Sequence, residues 1–221
     1  MTQLKVLVLT CCLLTGLQAF AQHGLDTLPD ELTNRYESVA AEVREDADAL
    51  ERVIEAGRER AVFCNTCHGP DGSAQRPNYP SLAAQNPVYL LDQIEQFADG
   101  SRKKLVMNVL AETFSVEEKI NLALYYAHME LEPAEFDEEL ARRGAQAYQA
   151  RCAQCHGASG LGEAGYARIA GQQPEYIAEV LREYRSGNSP RRLSVMYGIS
   201  AGLSEQDIEA VAHYAASLQR Q

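Results

Sequence analysis

Apolar residues recur along most of the chain with the three- and four-residue spacing of amphipathic helices. Within Asp26–Arg52, Tyr36 and Val39 keep this spacing and Asp46 interrupts it, which predicts one helix with a weak apolar stripe. Further helices are predicted where the same spacing continues and where Pro or Ser stands at a start. These are Glu55–Phe63, Pro87–Ala98, Ser115–Glu130, Leu140–Arg151, Pro174–Arg185 and Ser204–Leu218. No segment alternates as a strand does, so an all-α fold is expected.

The second half of the chain repeats the first. Residues 85–90 (QNPVYL) match residues 172–177 (QQPEYI), and Tyr126-Ala127 matches Tyr214-Ala215. A repeat of this length predicts two copies of one structural unit. We expect domains at residues 53–132 and 133–221, preceded by an acidic amphipathic helical extension at residues 22–52. The extension is interpreted as a solvated helix along the first domain, with an acidic docking surface or an oligomer contact as alternatives.

Composition and charge narrow the class of protein. The 221 residues are 46% apolar and 23% charged, and the net charge is −11. An acidic chain is poorly suited to bind nucleic acid or anionic lipid, both of which attract basic surfaces. Aromatic residues make up only 7%, and there is no Trp. Few aromatic side chains are therefore available to fill two separate cores.

The N-terminus has the pattern of an export signal. Lys5 is followed by an apolar run, Val6–Leu17, and then by Ala19-Phe20-Ala21, a small-x-small cleavage sequence. The run is shorter than the ~20 residues that a membrane-spanning helix needs. Residues 1–21 are therefore predicted to be a cleaved signal peptide, with an uncleaved anchor as the alternative, and the mature protein is expected in the periplasm.

The six cysteines decide the chemistry. Cys11 and Cys12 lie in the predicted signal, and the other four form Cys64-Asn65-Thr66-Cys67-His68 and Cys152-Ala153-Gln154-Cys155-His156. Each motif is C-x-x-C-H, the attachment signature of c-type haem, in which two thiols bind the vinyl groups and the His binds the iron. Disulfides, a zinc site or a thioredoxin-like motif would leave both His residues unexplained. Two covalently bound haem c groups are therefore predicted, with Cys64, Cys67, Cys152 and Cys155 as their anchors.

Methionines supply candidate ligands for the far side of each iron. Met107 lies 39 residues after His68, and Met196 lies 40 residues after His156, both in a predicted loop before the last helix of their half. His/Met ligation raises the potential of the iron and suits electron transfer. Met129 has no counterpart in the repeat and is interpreted as a packing residue. The remaining histidines (His23, His128 and His213) are interpreted as surface or packing residues.

Basic residues precede both methionines, at Arg102-Lys103-Lys104 and Arg191-Arg192. They could balance the haem propionates or border the edge where electrons leave. A solvated loop is the simpler interpretation, and the sequence leaves these alternatives open.

With these motifs in place, the chain resembles the cytochrome c4 family, the di-haem class I cytochromes c, over Glu55–Gln221. The resemblance implies two tandem all-α class I cytochrome c domains related by a pseudo-twofold axis, with propionates near the domain interface. It implies His68 and His156 as proximal ligands and Met107 and Met196 as distal ligands. The family's Pro-x-Leu element is present as residues 80–82, but Ala167-Arg168-Ile169 replaces it in the second half. A backbone carbonyl remains there for the proximal imidazole, without the rigid φ of proline.

The family resemblance implies a periplasmic electron carrier between respiratory donors, such as a quinol-oxidising complex, and a terminal oxidase. Peripheral association with membrane complexes is compatible with that role. The alternative is the electron-accepting subunit of a periplasmic dehydrogenase, for example a flavocytochrome c that oxidises sulfide. An enzyme is disfavoured. A di-haem peroxidase needs an open iron, and a Cys-ligated thiosulfate-oxidising haem needs a further Cys in the mature chain.

Overall fold

The computed structural model describes residues 24–162, 165–187, 191 and 194–218. All regular structure in these residues is helical, as the sequence predicts. The predicted signal peptide with Cys11 and Cys12, together with His23 and Arg192, lies outside the described residues. No helix in the described part of the chain is long and apolar enough to span a bilayer.

The helices follow the same order in each half of the chain. The N-terminal part contributes α1 (Asp30–Glu45), α2 (Ala47–Arg60), α3 (Asn65–His68), α4 (Pro87–Ala98), α5 (Leu105–Ala111) and α6 (Val116–Ala127). The C-terminal part contributes α7 (Glu138–Arg151), α8 (Ala153–His156), α9 (Pro174–Arg185), α10 (Met196–Ala201) and α11 (Glu205–Ser217). Short 3₁₀ turns cover Leu25–Thr27 and Ala61–Phe63. Helices α2 to α6 thus correspond to α7 to α11.

Local sequence signals set several helix starts. Helices α4 and α9 have the predicted bounds, each with Pro at its first position, where the missing N–H costs nothing. Helices α6 and α11 begin with reciprocal capping boxes, formed by Ser115 with Glu118 and by Ser204 with Asp207. In both boxes the Ser side chain accepts from the acidic residue's N–H and the carboxylate accepts from the Ser N–H.

The single helix predicted within Asp26–Arg52 is wrong. Helix α1 ends at Glu45, and Asp46 is extended with φ −132°. The Asp46 carboxylate accepts a hydrogen bond of 2.9 Å from the Asp48 N–H and caps α2. The predicted domain boundary between residues 52 and 53 therefore falls inside α2. The residue that interrupts the apolar stripe also starts the next helix, because its carboxylate competes with the helical backbone for N–H groups.

A close helix crossing recurs in both halves. Helix α2 packs on α6, and α7 packs on α11. A Cβ atom added to Gly57 would lie 2.4 Å from the Asn121 carbonyl oxygen, and one added to Gly144 would lie 2.0 Å from the Ala210 carbonyl oxygen. Only glycine allows the backbones to approach so closely, which makes these two residues a matched feature of the repeat.

The part of the chain that the structure describes contains two separate apolar cores. The first contains Leu91, Ile120 and Ala123 among its fully buried members, and the second contains Tyr148 and Ile208. Two cores, each enclosed by one copy of the helix set, agree with two tandem domains.

The N-terminal extension is part of the first core. Leu32 and Val39 of α1 are buried in it, and Arg35 Nε lies 2.8 Å from Glu117 Oε1 of α6. Surface ion pairs contribute little, so burial of the apolar stripe is what attaches α1. The extension therefore packs along the first domain, as the simpler sequence interpretation expects.

Candidate functional site

Each C-x-x-C-H motif forms a single helical turn that follows a longer helix. Helix α3 follows α2 through a 3₁₀ turn, and α8 follows α7 directly. No disulfide joins the four cysteines of the described residues. Burial raises the pKa of the Cys64 thiol and raises that of Cys152 to about 11. At both residues burial disfavours a charged thiolate, and an uncharged thioether suits the same surroundings.

The two histidines are held in one tautomer by backbone carbonyls. His68 Nδ1 lies 2.8 Å from the Pro80 carbonyl oxygen, and His156 Nδ1 lies 2.8 Å from the Ala167 carbonyl oxygen. A carbonyl can only accept, so Nδ1 carries the proton and Nε2 keeps its lone pair for a metal. Burial lowers the pKa of both imidazoles, although the carbonyls oppose this. Neutral imidazole is the form that binds iron.

The carbonyl retained at Ala167 confirms the expectation for the second half. Its position is fixed by a loop that both halves share. The Gly72 carbonyl accepts from Leu82 and Ala83 at 2.7 and 3.1 Å, and the Gly160 carbonyl accepts in the same way from residues 169 and 170 at 2.8 and 3.0 Å. Both glycines have positive φ, +78° and +70°, which other residues adopt only with strain. The loop therefore orients the carbonyl without requiring proline.

The candidate distal methionines lie on short helices and not in a loop, so the loop prediction is wrong. Met107 lies in α5, and Met196 begins α10. The side-chain amide of Asn108 explains why a helix forms at Met107. It donates to the Phe97 and Arg102 carbonyls at 2.7 Å each. It also accepts from the Lys104 N–H at 2.9 Å. This side chain ties the start of α5 to the end of α4.

The structure places each methionine with the cysteine of its own half. Met107 and Cys64 both pack against the first core, whereas Met196 and Cys152 belong to the second. Met129 also packs against the first core, as expected for a packing residue. Each half therefore assembles its own set of candidate ligands.

The two other described histidines make hydrogen bonds that serve the fold. His128 Nδ1 lies 2.8 Å from the Leu124 carbonyl oxygen, at the end of α6. His213 Nδ1 accepts from the Asp137 N–H at 3.0 Å, next to the start of α7. His128 is exposed and His213 is half-buried, in agreement with the interpretation of these histidines as surface or packing residues.

Two arginines form a buried cationic pair between the domains. Arg102 and Arg191 are both buried, with 6% and 7% exposure, so a solvated loop is the wrong interpretation for them. Their guanidinium groups donate to the Tyr176 hydroxyl at 3.1 and 2.9 Å and to Gln93 Oε1 at 2.6 and 3.1 Å. These arginines lower the pKa of Tyr176 to about 8, against the opposing effect of burial. Lys103 and Lys104 are exposed.

The cationic pair has little internal compensation. Among the residues that the structure describes, Arg102 forms no ion pair, and Arg191 has only Glu183, at 3.6 Å from its Nε. The Arg191 Nε also has no hydrogen-bond acceptor there. Buried cations are costly without anions. Tyr176 and Gln93 were not found from the sequence, because nothing in their local pattern shows that they meet two arginines.

These groups fit haem c. The ring needs apolar walls, two thiols, a neutral imidazole and a thioether, and its propionates need cations. Each half supplies the apolar walls, the two thiols, the imidazole and the thioether. Arg102 and Arg191 are placed to supply the cations for the propionates. The helix set and the ligand set together define a two-domain class I cytochrome c.

Comparison with known proteins gives the same class. The cytochrome c family model matches residues 141–219. Cytochrome c4 of Pseudomonas aeruginosa is 33% identical over 72% of this chain and 85% of its own length. The structure of reduced recombinant cytochrome c4 from Pseudomonas stutzeri aligns with a TM-score of 0.68 and 32% identity, over 73% of this chain and 96% of that one. The chain belongs to the cytochrome c4 family and is a di-haem c-type cytochrome.

A second kind of relative is also present. The thiosulfate dehydrogenase electron acceptor of Stutzerimonas stutzeri is 35% identical over 72% of this chain and 80% of its own length. That protein is named for accepting electrons. Both kinds of relative support an electron carrier.

Proposed function

We propose that the protein is a periplasmic carrier that passes electrons from a respiratory donor to a terminal oxidase. Cys64 and Cys67 attach one haem, and Cys152 and Cys155 attach the other. His68 with Met107, and His156 with Met196, are the axial ligands. The observation that carries the proposal is the matched pair of imidazoles, His68 buried and His156 half-buried. In each, Nδ1 donates to a backbone carbonyl and the Nε2 lone pair is left for a metal.

The residues favour electron transfer over bond chemistry. Haem c, when bound, supplies a one-electron couple. The carbonyls of Pro80 and Ala167 keep each imidazole in one orientation, and Met107 and Met196 each pack against the apolar core of their own half. With His68 and Met107 as ligands of one iron and His156 and Met196 as ligands of the other, neither iron would have an open position for a substrate. The protein contributes positioning and potential tuning.

A haem count and a reductive titration test this proposal. The pyridine haemochrome assay is expected to give two haems per chain, and titration of the oxidised protein is expected to consume two electrons. Cys64→Ala with Cys67→Ala should remove one haem, and the same pair of changes at Cys152 and Cys155 should remove the other. One haem in the unaltered protein, or a high-spin iron in it, would refute the assignment.

A second candidate function follows from the thiosulfate dehydrogenase electron acceptor relative. Under this alternative the protein accepts electrons directly from a periplasmic dehydrogenase, and thiosulfate dehydrogenase is the class that the relative favours over a sulfide-oxidising flavoprotein. Stopped-flow reduction distinguishes the two. Fast reduction by purified thiosulfate dehydrogenase with thiosulfate, combined with slow oxidation by a terminal oxidase, would favour the alternative.

Export through the predicted signal at residues 1–21 is part of the proposal. N-terminal sequencing of the haem-loaded protein from periplasm is expected to begin near Gln22. Recovery of the chain in the cytoplasm with an intact N-terminus would contradict periplasmic export.

A further inference from the structure

Two glutamines link the domains through paired hydrogen bonds. The Gln172 side chain accepts from the Ser81 N–H at 2.8 Å and donates to the Ser81 carbonyl at 2.9 Å. The Gln85 side chain accepts from the Arg168 N–H at 2.7 Å and donates to the Arg168 carbonyl at 2.9 Å. Gln85 and Gln172 occupy the same place in the repeat, as do Ser81 and Arg168. The interface therefore contains one arrangement twice, related by pseudo-symmetry.

Each glutamine is held firmly in its orientation. Gln172 Oε1 also accepts from the Gln173 N–H at 3.0 Å, and Gln85 Oε1 from the Asn86 N–H at 2.9 Å. Exchanging the amide oxygen and nitrogen would put NH₂ against two N–H donors, so the hydrogen bonds fix the assignment. Both glutamines are buried, with 6% exposure each, so water does not compete for these bonds.

The same peptide groups also hold the candidate iron ligands. The Pro80–Ser81 peptide accepts from His68 through its carbonyl and donates to Gln172 through its N–H. The Ala167–Arg168 peptide connects His156 to Gln85 in the same way. A peptide group is polarised as a unit. An acceptor on its N–H therefore makes its carbonyl a better acceptor, and hydrogen bonds in such a chain strengthen one another.

We propose that Gln85 and Gln172 are positioning residues, each lowering the reduction potential of the haem held in the opposite domain. This inference rests on the proposed function, in which His68 and His156 bind the irons. A stronger carbonyl acceptor draws the Nδ1 proton away from the ring and makes the imidazole a better donor to iron. A better donor favours the ferric state. Removing a glutamine should therefore raise the reduction potential of the haem in the opposite domain. The reduction potential of the haem in the glutamine's own domain should stay unchanged.

The chain offers a matched control. The neighbouring Gln173 also crosses the interface, since its Nε2 donates to the Ala74 carbonyl at 2.6 Å. That carbonyl does not belong to either of the peptide groups that bind His68 and His156. Gln173→Met thus removes an interdomain side-chain hydrogen bond and keeps the backbone N–H of residue 173 that donates to Gln172. This control distinguishes the effect of losing an interdomain hydrogen bond from the effect of losing the polarisation of the peptide group that binds the histidine.

The experiment compares Gln172→Met, Gln85→Met and Gln173→Met in the haem-loaded protein. The two midpoint potentials are followed separately through the haem methyl signals in proton NMR spectra during a redox titration. Gln172→Met should raise the potential of the first haem, Gln85→Met should raise that of the second, and Gln173→Met should change neither. Cooperative strengthening is only about 10–30% per hydrogen bond, so small shifts in potential are expected. The crossed pattern of the shifts therefore tests the proposal better than their magnitude does.

Three results would overturn the proposal: equal shifts at both haems, a shift only in the substituted domain, or no shift. If Gln172→Met fails to fold, amide exchange in the unaltered protein replaces it. Ser81 and Arg168 N–H groups must then exchange as slowly as core helical amides in both oxidation states, and fast exchange refutes the relay. Failure of the proposed function is distinguishable. It would show as missing or high-spin haem in the unaltered protein, whereas failure of the relay leaves two low-spin haems whose potentials lack the crossed pattern of shifts.

Discussion

Replacing Gly144 with Ala should destabilise the second domain even though Ala favours helices. The new Cβ would lie 2.0 Å from the Ala210 carbonyl oxygen and 2.4 Å from its carbon, whereas real Cβ contacts stay beyond 3.0 Å. Helices α7 and α11 would have to separate by at least about 1 Å. Overpacking of this kind costs about 1–3 kcal/mol, and both obstructing atoms are backbone, so the upper part of that range applies. Helix propensity returns about 1 kcal/mol, which leaves a net loss of about 1–2 kcal/mol.

Equilibrium denaturation of the haem-loaded protein measures this loss. The exposed mid-helix position Gln146 provides the control, because the difference between Gln146→Ala and Gln146→Gly gives the propensity contribution alone. Gly57→Ala should show a smaller loss in the first domain, since its Cβ would lie 2.4 Å from the nearest atoms. If Gly144→Ala is stabilising by the amount measured at Gln146, the close crossing is not what requires glycine there.

Two further predictions follow from the buried and capping groups. Arg102→Met should raise the pKa of a haem propionate by about 1–3, seen as a pH-dependent potential near neutrality, whereas the exposed Lys103→Met should not. Asp46→Ala should cost about 1 kcal/mol of stability by uncapping α2, and Asp46→Asn should restore most of it.

Short-range patterns predict much of the fold and a candidate ligand set. The Pro starts of α4 and α9 and the Ser starts of α6 and α11 are local, because the capping atoms lie within three residues of the groups they satisfy. The C-x-x-C-H motifs are local for the same reason. Their repetition along the chain also predicts two domains without reference to tertiary contacts.

The features that escaped the sequence depend on distant contacts. Asp46 was visible as an interruption, but its role as a cap depends on the geometry of the chain around it. The local sequence around Arg102 and Arg191 is typical of charged residues in a solvated loop. Both side chains are buried only because the two domains pack against each other. In the sequence, Gln85 and Gln172 are distinguished only by their matching positions in the repeat. Their hydrogen-bond partners lie more than 80 residues away along the chain. A local sequence pattern cannot predict contacts at that separation.

The near-infrared spectrum of the oxidised protein tests the central assignment most directly. The weak band of methionine bound to ferric haem should have the strength expected for two haems. Met107→Ala and Met196→Ala should each remove half of it, and the double variant should remove it all while both haems stay attached. If Met107→Ala abolishes the whole band and Met196→Ala leaves it unchanged, the chain does not contain two equivalent His/Met haems.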